Sequence, residues 1–257
     1  MDSIVEQGVK KSRMPARLDL AQSLSGLALG LFMWAHLLLV SSILLGKDAM
    51  LWVTHFLEGG FLRPGEEGGY PILVTMAAAS IFVLFILHAG LAMRKFPADC
   101  QQHKVFRAQM KMMKHADTNQ WYTQVVTGFI MFFLGSVHLY IMMTRPDQIG
   151  PYASSDRIVS QWMWPLYLVL LFAVELHGAV GLYRLAIKWD VFKGKDPTVT
   201  RKRLKTAKMA ISVFFILLGL ASLAAYIKIG IEHRDNVGER YTYSEISTTT
   251  TPEDLTK

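Results

Sequence analysis

The run PILVTMAAASIFVLFILHAGLAM, residues 71–93, contains no Asp, Glu, Lys or Arg, and its only ionisable group of any kind is His88. In helical form its 23 residues rise about 35 Å, enough to cross a hydrocarbon core of about 30 Å with some tilt. A strand reading fails, because the run is too long and lacks alternating polarity. Working outward, four more apolar runs of similar length stand at 22–45, 121–144, 162–187 and 207–229. Several of their ends carry interfacial aromatics, including Trp121, Tyr122, Trp162 and Trp164. The expected fold is therefore an all-α integral membrane protein with five transmembrane helices.

The whole chain agrees with that reading. Of its 257 residues 52% are hydrophobic, and most of the charge is gathered into a few stretches between the runs. Nineteen of the 27 Lys and Arg fall on one side of a five-span chain: before span one, after span two (Arg94 to Lys114) and after span four (Arg184 to Lys208). By the positive-inside rule the N-terminus is expected in the cytoplasm and the C-terminus in the periplasm of a bacterial inner membrane. The net charge of +7 is then mainly a topology signal, and nucleic acid is not an expected partner. Cys100 is the only cysteine, which excludes an internal disulfide and an iron–sulfur cluster held by this chain alone. The first twenty residues carry charge up to Arg17 and Asp19, so no cleaved signal peptide is expected. The expected division is a cytoplasmic segment over 1–21, a membrane domain over 22–230 and a polar tail over 231–257. That tail, with its run Thr248–Thr251, reads as disordered. Residues 98–119 suit an amphipathic surface helix, and 46–70 read as a Gly-rich, acidic outer loop. No internal repeat is evident.

Four of the eight histidines lie inside spans, one on each of four helices: His36, His88, His138 and His177. An ionisable group at membrane depth is costly and marks function by default. His36 and His138 lie 14 and 17 residues into spans that run outward. His88 and His177 lie 17 and 15 residues into spans that run inward. Depth thus pairs His36 with His138 towards the outer face and His88 with His177 towards the inner one. Two imidazoles without a carboxylate or thiolate at the same depth do not close a zinc site. One histidine from each of two facing helices does suit axial ligation of haem, which makes four of the five helices a haem-binding bundle. Gly90, Gly135, Gly178 and Gly181 offer small neighbours for a macrocycle. Haem propionates call for cations. Lys95 and Arg184 each follow an inner histidine by seven residues, on the same helix face, and Arg157 is the outer candidate. Simple obedience to the positive-inside rule explains the two inner cations as well.

Four local strings carry a family resemblance: KKSRMPA at 10–16, LAMRKFP at 91–97, FFLGSVHLYIMMT at 132–144 and WMWPLYLVLLFAVELHG at 162–178. They resemble the dihaem cytochrome b subunit of quinol:fumarate reductases, in the succinate:quinone oxidoreductase superfamily. The likeness covers most of 10–229 and fades in 46–70 and beyond about 232. It implies two b haems, with His36 and His138 on the outer iron and His88 and His177 on the inner one. It further implies partnership with a flavoprotein subunit and an iron–sulfur subunit on the cytoplasmic side, and a possible dimer of the whole complex in the lipid bilayer. Menaquinol would be oxidised near the outer haem and fumarate reduced on a partner subunit. The family's propionate contacts match Gln22, Ser23, Lys95, Trp121, Arg157 and Lys188 here. Lys188 stands eleven residues after His177 on the same helix face and so competes with Arg184.

Two carboxylates remain to be weighed. Quinol oxidation releases protons, and Glu58 matches the family's quinol-site acid; the plainer reading is a solvated loop acid. His55, three residues earlier, either assists or sits at the interface. Glu175 lies inside span four, turned about 200° from the ligand face of His177. The resemblance implies a proton path through it that compensates electron transfer, since moving one charge across the membrane costs about 2.3 kcal/mol per 100 mV. A neutral glutamate bonded to a neighbouring helix is the alternative. Rival functions are a succinate:quinone reductase cytochrome b running in reverse, a formate dehydrogenase or hydrogenase cytochrome b, and a haem-free transporter. Complexes of the bc type place two histidines on each of two helices, unlike this chain. The absence of broken helices argues against transport.

Overall fold

The computed structural model describes residues 12–63, 68–113, 116–192 and 194–243. Lys10, Lys11, Glu66, Glu67, Lys114, Lys193 and the run Thr248–Thr251 lie outside the described residues. Eight α-helices follow one another among those described: α1 Met14–Val40, α2 Lys47–Leu57, α3 Pro71–Met93, α4 Cys100–Met113, α5 Ala116–Thr144, α6 Pro151–Val159, α7 Trp164–Lys188 and α8 Pro197–Glu232. Short 3-10 turns join them at Ser41–Leu45, Gly60–Leu62 and Arg234–Asn236, and no strand occurs among the described residues. Five helical segments are long and apolar enough to cross a membrane: Met14–Leu45, Pro71–Met93, Asn119–Thr144, Trp164–Lys188 and Pro197–Glu232. The protein is an all-α integral membrane protein.

Local chemistry explains where the helices begin. Prolines open α3, α6 and α8, where the missing N–H would have had no helical partner. Asp99 caps α4 by accepting the Gln102 N–H at 2.7 Å, and Asp196 caps α8 by accepting the Thr198 N–H at 2.7 Å. The cap on α8 starts that helix ahead of its apolar run, so Arg201, Lys202, Arg203 and Lys205 are helical. Helix α3 is apolar all round, yet only Ala78 is buried by protein. Ile72, Val83 and Leu87 are exposed on it, which suits contact with lipid tails.

The chain divides into two compact units, and the boundary falls within each of the five long helices. The first unit runs up to Met33 and includes Ser80–Ser136 and Ala173–Ser212. Lys208 Nζ donates to the Gln120 side-chain oxygen at 3.1 Å there and lies over the Tyr183 ring. The second unit comprises Trp34–Ala79, Val137–Phe172 and the chain from Val213 onward. Its core gathers Ile43, Met50, Ile158 and Tyr226. Polar contacts stitch its helices: Ser222 Oγ donates to Ser41 Oγ at 2.9 Å, and the Tyr226 hydroxyl donates to the Val40 carbonyl at 3.2 Å.

Two expectations need correction. The stretch 46–70 is not simply loop, because α2 occupies Lys47–Leu57 and buries Met50, Leu51, Val53 and Thr54. The tail expected to be disordered from about residue 232 is tied down as far as Tyr243. His233 is buried against Asp156 at 3.0 Å, and Tyr241 donates to Asp48 at 2.8 Å. Both partners lie far away in sequence, which is why polarity alone misjudged the segment.

Candidate functional site

Within the second unit His36 on α1 faces His138 on α5, with ring centroids 6.0 Å apart. Within the first unit His88 on α3 faces His177 on α7 at 6.5 Å. Two metal–imidazole bonds of about 2 Å each, extended by about 1 Å from each nitrogen to its ring centre, put the centroids about 6 Å apart. Both pairs therefore have the spacing of axial ligands on one metal ion. Among the described residues no three His, Cys, Asp or Glu gather as a metal site. A metal held by either pair would need the rest of its coordination from elsewhere, which a porphyrin would supply.

The first-unit imidazoles are oriented through Nδ1. His177 Nδ1 lies 2.8 Å from the Gln124 carbonyl, and since a carbonyl only accepts, Nδ1 carries the hydrogen and Nε2 is left for a metal. His88 Nδ1 lies 3.0 Å from Ser25 Oγ, whose own hydrogen goes to the Gln22 carbonyl at 3.1 Å. Thr127 Oγ1 stands 3.5 Å from His177 Nδ1. A glycine sits beside each ring: a Cβ on Gly26 would lie 2.8 Å from His88 Cε1, and one on Gly128 would lie 3.1 Å from His177 Cε1.

These contacts expose a repeat overlooked in the sequence. Gln22-Ser-Leu-Ser25-Gly26 and Gln124-Val-Val-Thr127-Gly128 share the pattern Q-x-x-[S/T]-G, and each is followed ten residues after its glycine by a histidine, His36 or His138. Helices α1 and α5 thus carry the same device twice, supporting a histidine of the first unit and contributing one to the second. The glycines singled out beforehand sit on or near the ligands' own helices. Gly90 meets nothing within 4 Å, and Gly178 and Gly181 approach Met33 and Gln124 instead.

The polar residues of the first unit converge on one acid. Lys95 and Lys188 both pair with Asp19, and Lys188 Nζ also donates to Ser23 Oγ at 2.9 Å. Beside them the Gln22 amide oxygen is buried with no hydrogen-bond partner among the described residues. Asp19 escaped the sequence reading, although its position at the head of the first span offered a hint. Arg184 and Lys188 are both exposed on α7, and Lys188 reaches the cluster. Trp121 packs edge-on against Phe106 at 4.8 Å, and Lys95 and Trp121 line one cleft. In the second unit Arg157 is buried, donates to the Gln148 carbonyl and hydrogen-bonds Tyr167. The Tyr167 ring stands edge-on to His138 at 5.6 Å, so a cation lies one residue away from that pair.

Glu58 ends α2 and is only 8% exposed, so it is not a solvated loop acid. Burial pushes its carboxyl above the ordinary carboxylate range, while Arg240 and the Gly69 backbone N–H pull it down and Asp147 pushes it up. Gly69 and Gly59 shape the turn: a Cβ on Gly69 would fall 2.5 Å from the Glu58 carbonyl oxygen, and Gly59 has φ +75°. Glu175 on α7 is fully enclosed by protein, at 0% exposure.

Five spans with two internal imidazole pairs define the class, a helical membrane protein with two facing-histidine sites. The family model described as succinate dehydrogenase/fumarate reductase transmembrane subunit matches residues 101–219. The chain is 58% identical over 233 residues to the fumarate reductase cytochrome b subunit of Wolinella succinogenes, covering 90% of each chain. It is 52% identical over 231 residues to the fumarate reductase cytochrome b subunit of Helicobacter pylori strain J99, covering 90% of this chain and 88% of that one. The chain belongs to the succinate dehydrogenase/fumarate reductase transmembrane subunit family.

Proposed function

We propose that this chain is the membrane-anchoring cytochrome b subunit of a quinol:fumarate reductase. The observation that carries the reading is the pair of imidazole–imidazole separations, 6.0 and 6.5 Å, each of which would suit two histidines holding one metal ion. The names of the relatives support it. Two b haems, one between His36 and His138 and one between His88 and His177, would supply one-electron redox chemistry at two levels of the membrane. His88 and His177 present Nε2 because Ser25, Gln22 and Gln124 occupy Nδ1. Gln22, Ser23, Lys95, Trp121 and Lys188 form a polar rim for propionates in the first unit, with two cations that Asp19 holds together, and Arg184 is a further candidate on α7. Arg157 serves the second unit.

Menaquinol is the substrate of this reading, and Glu58 takes a proton from a quinol hydroxyl. Glu175, enclosed on α7, moves a proton alongside the electron and so offsets the cost of charge separation. The distribution of basic residues supports an N-terminus in the cytoplasm of a bacterial inner membrane and a C-terminus in the periplasm. On the cytoplasmic side an iron–sulfur subunit and a flavoprotein subunit receive the electrons and reduce fumarate, and the whole complex is a candidate dimer. The family description names succinate dehydrogenase as well, which keeps the reverse direction as the second reading. Turnover of the intact complex with menaquinol and with ubiquinone separates the two.

The decisive experiment is a reduced-minus-oxidised spectrum of the purified chain with haem quantified per polypeptide. Two low-spin b haems are expected. No α band would end the proposal.

A further inference from the structure

Beyond α8 the chain turns back along the second unit, and one buried carboxylate holds the turn. Asp156, on α6 and 4% exposed, receives His233 Nδ1 at 3.0 Å on one oxygen and the Gly238 N–H at 3.0 Å on the other. Gly238 has φ +95°, a conformation that side chains resist. Tyr152 stacks on the His233 ring at 3.9 Å, and Lys47 lies over the rings of both Tyr152 and Tyr241. Past the turn Arg240 pairs with Asp147 at 3.3 Å, the Tyr241 hydroxyl donates to Asp48 at 2.8 Å, and Tyr243 packs edge-on to His55 at 5.8 Å. Asp48 and His55 lie on α2, the helix that Glu58 terminates.

We propose that residues 233–243 form a cap clasped by Asp156 along α2, from Asp48 to His55 one turn before Glu58, and that this cap, through the Arg240–Asp147 pair, positions a charge for the end of α2 that carries Glu58. Asp156, His233 and Gly238 are positioning residues on this account, and its functional half rests on the reading of Glu58 as the quinol base. The charged groups acting on Glu58 are Arg240 of the cap and Asp147 of the connection between α5 and α6. They form one ion pair yet act on Glu58 in opposite senses, which gives the proposal a signature that a general structural role does not produce.

The test uses the assembled complex in membranes, with a reduced dimethylnaphthoquinone as quinol and b-haem content as the check on integrity. Asp156→Asn removes a charged acceptor from two hydrogen bonds, so amide exchange through 233–243 should rise roughly tenfold or more. Gly238→Ala, strained at that φ, should loosen the same residues without touching the buried carboxylate. Arg240→Gln should move the acid limb of quinol oxidation to higher pH, and Asp147→Asn should move it lower, each by roughly half a pH unit. Unchanged exchange in both Asp156→Asn and Gly238→Ala would overturn the cap. Shifts of the same sign, or none, in the two charge variants would overturn its action on Glu58. Full turnover by Glu58→Gln would remove the quinol-base reading, and with it the functional half, while leaving the exchange result to decide the cap.

Discussion

Gly26 and Gly128 occupy equivalent places but leave different margins. A methyl group on Gly26 would sit 2.8 Å from His88 Cε1, and one on Gly128 would sit 3.1 Å from His177 Cε1. Alanine in a helix gains up to about 1 kcal/mol over glycine from propensity. Overpacking costs about 1–3 kcal/mol, so the clash wins at Gly26 and roughly balances at Gly128. Gly26→Ala should therefore lose haem from the His88–His177 pair, while Gly128→Ala retains most of it; spectral quantification of bound haem per chain decides. Glu58 offers a second test at this scale. Burial raises its pKa, so the ionised base is present only above a midpoint higher than the ordinary carboxylate value of about 4.3. Quinol oxidation should fall as pH drops through that midpoint, and Glu58→Gln should abolish turnover while leaving both haems bound. A pH profile of turnover for both proteins reads this directly.

At the scale of elements, the Q-x-x-[S/T]-G device on α1 and α5 differs in one detail. His177 Nδ1 donates to the Gln124 carbonyl at 2.8 Å, whereas His88 Nδ1 meets Ser25 Oγ at 3.0 Å beside the Gln22 carbonyl, which acts on His88 as well. Ser25→Ala should weaken the ligation of His88, by the 10–100-fold in affinity that outer-shell partners typically contribute. Thr127→Val should change it little, because its hydroxyl stands 3.5 Å from Nδ1 and the carbonyl remains. Haem titration of the two apo-variants, with the midpoint potential as a second readout, separates them. The five spans were legible because apolar length alone identifies them, and depth along them selected the same histidine partners that face each other in space. Helix ends were less legible. Hydropathy reports the solvent a residue prefers, so α8 was expected from 207 although Asp196 caps it and its basic turns are good helix formers. Gly26 and Gly128 are not legible in the sequence because each faces a histidine on another helix, and a glycine's value there depends on what lies across from it. Asp19 and Asp156 were missed for the same reason: their partners are 76 to 169 and 77 to 82 residues away.

Across the whole molecule, each compact unit holds one complete imidazole pair, and each of the five long helices contributes residues to both units. Helix α1 illustrates the division of labour: Ser25 and Gly26 support His88 in the first unit, and His36 faces His138 in the second. Sites without shared partners behave additively. His36→Ala removes a ligand of one pair and leaves every contact of His88 and His177 in place. Haem content should therefore fall from two per chain to one, and the haem that remains should keep its bis-histidine spectrum and midpoint potential. His88→Ala should give the complementary half-loaded protein, carrying the other haem. If either single substitution empties both sites while the chain stays helical and membrane-inserted, the two pairs are one cooperative unit and the independent-site picture fails. Haem quantification and redox titration of the two variants, side by side with circular dichroism, distinguish these outcomes. A half-loaded protein would also separate the two chemistries. With the His36–His138 site empty, quinol oxidation should stop even though the His88–His177 haem still accepts electrons from a soluble reductant.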